Sequence, residues 1–236
     1  VYVFLNRQLG VRWLWPGELG EVVPQSPTFS VPDGLDRAVA PDFAIRHLWL
    51  TYRNPPQVRE RYMRWYRRTG QGQALTGNSG HAYYSRMGGN ALFEEHPEYY
   101  ALVGGQRKPF NGNRGQICTS NPEVVRIVAE SALKDTRDIA PIAPNDGSGF
   151  CECPNCRALD VDDYLMPWGG GEMIALTDRI FTFVNQVAHI VAERDPQKLL
   201  GHYAYTFFKP PPARIDDLED NIVLFFAQAC HWFRNP

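Results

Sequence analysis

The 236-residue chain has no apolar run near the roughly 20 residues that span a bilayer, so no membrane-crossing helix is expected. It has no excess of positive charge: 24 Lys and Arg stand against 26 Asp and Glu, and a formal net charge of −2 lacks the basic field that nucleic-acid binders use. It has no Gly-rich phosphate turn after its first apolar run, where Leu50-Thr51-Tyr52-Arg53-Asn54 stands instead, which argues against a dinucleotide-binding, doubly wound sheet. It opens on Val1 with no charged-then-apolar leader and stops at Pro236 directly after an apolar run, so both ends read as cuts.

What is present is an ordinary globular mixture, 44% hydrophobic and 21% charged, able to bury one sizeable core and a small appendage. Aromatics make up 13%, and many stand beside polar residues, as in His81-Ala82-Tyr83-Tyr84 and His231-Trp232-Phe233. Rings so placed can stack on sugar faces, or simply fill a core.

Residues 1–9 read as a short helix and 11–15 as a strand closed by Pro16-Gly17, the end of a small α+β domain at 1–32. Pro24, Pro27, Pro32 and Asp33-Gly34 form a linker. Beyond it, over 33–236, short apolar runs alternate with amphipathic stretches, the sign of repeated βα units on a parallel sheet. Strands are expected at 43–50, weakly within 71–113, then at 116–118, 139–143, 199–206 and 222–229. Helices are expected at 55–68, after Ser120-Asn121-Pro122-Glu123, where Ser120 as polar cap is followed by an early Pro and by a Glu three residues on, and at 172–194. A short helix starts at His96-Pro97. Six units suggest an α/β fold, an incomplete (β/α)8 TIM-type barrel with about two units outside the chain.

In such barrels the working residues follow the strands. That rule selects Thr51, Tyr52 and Arg53, then His81, Tyr83 and Tyr84, then Cys118 and Ser120, Asn145 and Asp146, Tyr205, and last Gln228 and His231. Asn145-Asp146-Gly147 carries most weight as the catalytic candidate, since a carboxylate beside an amide can move a proton next to a group that holds substrate; the plain alternative is a turn. Glycosidases usually pair two carboxyl groups unless a substrate acetamide supplies the nucleophile, and Glu152, Asp162 and Asp163 are weak second candidates. Cys151-Glu152-Cys153-Pro154-Asn155-Cys156 packs three thiols into six residues, and Cys118 can join them. A structural zinc on these four, a disulfide leaving an odd thiol, and free thiols are all open readings, because paired Cys-x-x-Cys knuckles are lacking. His189, between Ala188 and Ile190, reads as packed within its helix.

Four phrases share an order and spacing with one family. They are Gly10-Val11-Arg12-Trp13-Leu14-Trp15-Pro16-Gly17-Glu18-Leu19-Gly20, His96-Pro97-Glu98-Tyr99-Tyr100, Cys118-Thr119-Ser120-Asn121-Pro122-Glu123-Val124, and Pro144-Asn145-Asp146-Gly147 running into Phe150-Cys151-Glu152-Cys153-Pro154-Asn155-Cys156. From about residue 5 onward the chain resembles the domain of unknown function 4838, a group that includes glycoside hydrolase family 163. The resemblance implies a barrel behind a hexosaminidase-like α+β domain, in proteins mostly exported by bacteria: secreted, periplasmic or at the cell surface. It implies an endo-β-N-acetylglucosaminidase cutting the chitobiose core of N-glycans, with an oligosaccharide or glycoprotein glycan as partner and no cofactor required for catalysis. Asn145 and Asp146 carry over as mouth residues; His81, Tyr83, Tyr205, Arg46, Gln228 and His231 are candidate substrate contacts from the residues themselves, not from the resemblance. Two other readings stand beside it: a non-catalytic carbohydrate-binding barrel, and an α-glucuronidase-like enzyme using Arg46, Arg53 or Arg86 against a carboxylate.

Overall fold

A computed structural model of the chain describes residues 1–36, 38–46, 55–168 and 171–227. The contacts divide it into two compact units, Val1–Leu75 and Thr76–Pro236. Among the described residues no helix is long and apolar enough to cross a membrane.

The first unit holds helix α1 (Tyr2–Arg7), the antiparallel pair β1 (Arg12–Trp13) and β2 (Glu21–Val22), strand β3 (Ile45–Arg46), helix α2 (Pro56–Arg68) and strand β4 (Gly72–Gln73), which pairs antiparallel with β3. The β1–β2 connection folds tightly because Gly20 has no side chain: a Cβ there would lie 2.2 Å from the Trp15 carbonyl oxygen. Helix α2 is Arg-rich, and both an aromatic and an Arg side chain tie it to the β1–β2 pair. Trp65 donates its indole N–H to the Trp13 carbonyl at 2.8 Å, and Arg68 pairs with Glu21 while its guanidinium lies 5.5 Å over the Trp13 ring. Of the strand expected at 43–50, Ile45 and Arg46 form one; 47–50 lie outside the described residues.

The second unit is a mixed α/β arrangement around a parallel sheet. In chain order come helix α3 (Tyr83–Arg86), the hairpin β5 (Leu102–Val103) and β6 (Gln106–Arg107), helix α4 (Pro122–Leu133), strand β7 (Ile139–Pro141), helix α5 (Pro154–Arg157), the hairpin β8 (Leu165–Trp168) and β9 (Gly171–Ile174), helix α6 (Thr177–Arg194), and strands β10 (Leu199–Ala204) and β11 (Ile222–Phe226). Strand β10 lies between β7 and β11, parallel to both, with Leu200 opposite Ala140 and Ile222. On the far side of β7, residues 77–81 run parallel to it through bridges from Gly77 to Ile139 and from His81 to Ala143. Neighbours in this sheet therefore follow chain order.

Alternation sorts the strand side chains. Ala140, Ile142 and Leu200 join the core formed by the stripes Val124, Val128, Ala132 on α4 and Ile180, Phe183, Val184, Val187, Val191 on α6. Each large side chain so buried contributes about 1.5–3 kcal/mol. On the opposite face the backbones close together. A Cβ on Gly201 would lie 2.2 Å from the Asn78 carbonyl oxygen, and one on Gly77, at φ +101°, would lie 2.0 Å from that of Ile139.

Three expectations change. Residues 116–118 are not a strand of the parallel sheet: Ile117 makes an isolated antiparallel bridge to Tyr100. The cap of α4 is Asn121, not Ser120; its side chain accepts from the Glu123 N–H at 2.9 Å. Helix α6 begins at Thr177, and Glu172 belongs to β9 of a hairpin. There the buried Asp178 carboxylate accepts from the N–H groups of Ala213 and Arg214.

Candidate functional site

The C-terminal ends of the parallel segments bring together residues far apart in sequence. Residues 77–81 end at His81, β7 runs out through Ala143 and Pro144 to Asn145 and Asp146, and β10 ends in Tyr203, Ala204 and Tyr205. The His81 ring lies 5.3 Å from that of Tyr203 and 6.2 Å from that of Tyr205, and its Nε2 is 3.9 Å from Asp146 Oδ1. Its Nδ1 is 2.5 Å from the Pro144 carbonyl oxygen. A carbonyl only accepts, so Nδ1 carries the proton and Nε2 is the nitrogen presented to Asp146. Burial, then the nearby Asp146 carboxylate and Tyr203, push the Tyr205 hydroxyl above its ordinary range. The next residue, Thr206, has φ +43°, a left-handed conformation costing a β-branched residue on the order of 1–3 kcal/mol.

Asn145 and Asp146 divide the labour. Asp146 is 62% exposed at this end of the sheet. The Asn145 side chain is turned into the protein: Oδ1 accepts from the Tyr84 N–H at 3.1 Å, Nδ2 donates to the Gly115 carbonyl at 2.9 Å, and the Asn145 carbonyl accepts from Gln116 Nε2 at 2.7 Å. Asn145 is thus a buried bracket beneath Asp146.

Other residues singled out from the sequence have settings of their own. Tyr83 is fully buried against Phe183, so its neighbour Tyr84 is the exposed ring of that pair. Arg46 belongs to the first unit, where Nε donates to the Gly70 carbonyl at 2.8 Å. Arg86 is buried and committed to the Pro141 and Ser131 carbonyls and to Asp135 at 2.7 Å. Arg137 and Arg86 together hold the Asp135 carboxyl far below the usual range. Glu152 accepts from the Gly104 N–H at 2.8 Å, and Asp162 and Asp163 are exposed ahead of β8. His189 is exposed on α6 between Glu193 and Glu219, not packed inside. Thr51, Tyr52, Arg53, Gln228 and His231 lie outside the described residues. Tyr203 was missed, although it shares a strand face with Tyr205 by simple alternation.

A second site lies beneath the loops. Cys118, Cys151, Cys153 and Cys156 are all buried and free, and their sulfurs lie within 4.8 Å of one another, a group that could hold a metal ion. Cys118 Sγ is 3.7 Å from Cys153 Sγ and 3.8 Å from Cys156 Sγ. Leu102 N–H points at Cys151 Sγ and Cys156 N–H at Cys153 Sγ, both at 3.4 Å, and Arg107 Nη1 lies 3.7 Å from Cys151 Sγ. Contact with the Cys118 and Cys156 thiols, then burial, pushes the Cys151 thiol up. Four thiolates cannot share this space without a cation.

A family model described as a domain of unknown function (DUF4838) matches residues 15–235. The chain belongs to this family. No curated protein and no solved structure matches it significantly.

Proposed function

We propose that this DUF4838 chain is the larger part of a (β/α)8-barrel glycoside hydrolase acting on acetamido sugars, an endo-β-N-acetylglucosaminidase that cuts N-glycans. The barrel reading is supported by a parallel sheet whose neighbours follow chain order, as in a closed barrel, where a doubly wound sheet would reverse direction at a switch point. The activity is supported by the resemblance to glycoside hydrolase family 163 and, above all, by an exposed carboxylate at the mouth, Asp146, beside a histidine and two tyrosines.

In substrate-assisted cleavage the acetamide oxygen bonds to the anomeric carbon while a carboxylic acid gives its proton to the leaving oxygen. A carboxylate that accepts the acetamide N–H stabilises the cyclic cation so formed. Asp146 fits the carboxylate task, the His81 ring stands beside it with Nε2 3.9 Å from Oδ1, and Tyr203 and Tyr205 offer faces for sugar rings. Incubating the full protein with a glycoprotein bearing complex N-glycans tests this by mass spectrometry. A single N-acetylglucosamine left on each asparagine is the expected product, and intact glycans after prolonged incubation would sink the reading.

A non-catalytic carbohydrate-binding barrel is the second reading, favoured by one observation: Glu152, a candidate for the second carboxyl group, is committed to the Gly104 N–H. The α-glucuronidase-like reading loses Arg86, which is buried against Asp135.

The ion at the four cysteines is, in this reading, a structural zinc. Zinc–sulfur bonds of about 2.3 Å in a tetrahedron place sulfurs roughly 3.8 Å apart, which the 3.7 and 3.8 Å separations match. Burial of all four ligands leaves no open position for substrate, so catalysis does not run through the ion.

A further inference from the structure

The four sulfurs lie in a layer of chain with little other core. Ala101 is buried with them, and Leu102 and Val103 partly so. Three irregular segments meet there, residues 99–103, 115–118 and 151–156. Tyr100 and Ile117 anchor the first two in the main core, whereas the buried residues of the third are its three cysteines. The segments are stitched by Ala101 N–H to the Gln116 carbonyl at 3.0 Å, Cys118 N–H to the Tyr99 carbonyl at 2.9 Å and Glu152 N–H to the Leu102 carbonyl at 2.8 Å.

Two of these segments lead straight to the mouth. Gln116, two residues before Cys118 and 1% exposed, donates to the Asn145 carbonyl, and Gly115 accepts from the Asn145 side chain. On the other side, five residues of chain separate Asn145 from Cys151. An ion that joins Cys118 to Cys151 closes a ring through Gln116 and Asn145. Thiols without the ion offer only weak, poorly directed hydrogen bonds, whereas coordination fixes all four sulfurs at once.

We propose that metal occupancy of the four-cysteine site positions Asn145, and with it Asp146, so that the ion is a positioning element of the mouth. The inference rests on the zinc reading and is independent of whether the mouth hydrolyses a glycan. The Tyr84 N–H donates to Asn145 Oδ1, so its exchange with solvent reports the Asn145 side chain directly.

Hydrogen exchange with mass analysis, on full protein whose metal content is measured in parallel, tests the proposal. One zinc per chain is expected. Removing it with a chelator should speed exchange at Tyr84, Ala101 and Cys118 by about tenfold or more while α6 and β10 stay protected, and zinc should restore the original rates. Gln116→Met, close in size but unable to donate, should keep its zinc yet exchange at Tyr84 like the chelated protein. Zinc loss that leaves Tyr84 exchange within about twofold would overturn the positioning role while sparing the zinc site. Equal loss of protection across α6 and β10 would also overturn it, since the ion would then support the whole unit. Protein that takes up no zinc under any loading condition overturns both.

Discussion

The imidazole of His81 faces the Asp146 carboxylate, Nε2 to Oδ1, at 3.9 Å, with the opposite ring nitrogen held by the Pro144 carbonyl at 2.5 Å. Two parallel segments, far apart in sequence, deliver these groups to one end of the sheet. The Pro144 contact fixes the tautomer, so Nε2 of the neutral ring is an acceptor that can take a substrate hydroxyl beside the carboxylate. Removing that ring by His81→Ala should lower kcat for glycan cleavage by about a hundredfold, the low end for an acid–base or orienting group. The half-exposed site should tolerate the change with little shift in Tm. A kcat within twofold of wild type, on a correctly folded variant, would remove His81 from the mechanism.

On the helix-facing side of β10, His202 is fully buried between Phe181 and Phe208, and neither ring nitrogen has a hydrogen-bond partner among the described residues. Burial pushes its pKa down to about 3. The unfolded chain takes up a proton below about pH 6.5 and the folded chain does not until about pH 3, so stability falls as pH drops through that window. The slope from this one group is at most about 1.4 kcal/mol per pH unit. His202→Leu should flatten the decline in Tm between pH 6.5 and 5, and an unchanged slope would count against this account.

Arg86 ties the end of β7 to the end of α4 through Pro141, Ser131 and Asp135. Replacing it with Met keeps the stem but leaves a buried carboxylate with Arg137 as its remaining guanidinium partner. The expected loss is about 3–5 kcal/mol in chemical denaturation. A loss under about 1 kcal/mol would show that Arg137 and solvent, not Arg86, balance Asp135.

Periodicity made the parallel framework legible. Residues 139–143, 199–206 and 222–229 contain β7, β10 and β11, and the run after Ser120 contains α4 displaced by one residue at its cap. What periodicity cannot reach is the pairing of irregular chain. Gln116-Ile117-Cys118 is as apolar as a short strand, yet its partner is Tyr100 in an antiparallel bridge. The 172–194 stretch reads as one helix because Met173, Ile174 and Ala175 are apolar, while Met173 and Ile174 pair across a hairpin with Met166 and Leu165.

The site was legible in the same uneven way. Asn145-Asp146, His81 and Tyr205 could be selected because each follows a parallel segment, and the four cysteines because of their crowding. Which of Tyr83 and Tyr84 points inward could not be read, since a four-residue helix shows no stripe. Nor could Arg86 be recognised as a buried support, because its partners are 45 to 55 residues away.

Cleavage of a complex N-glycan by the full protein, wild type beside Asp146→Asn, tests the central claim most directly. The change keeps the size of the side chain and removes its charge. The account predicts that the variant still binds the glycan while cleavage falls by a factor of about 100 or more. Cleavage by the variant at the wild-type rate would show that Asp146 carries no part of the chemistry.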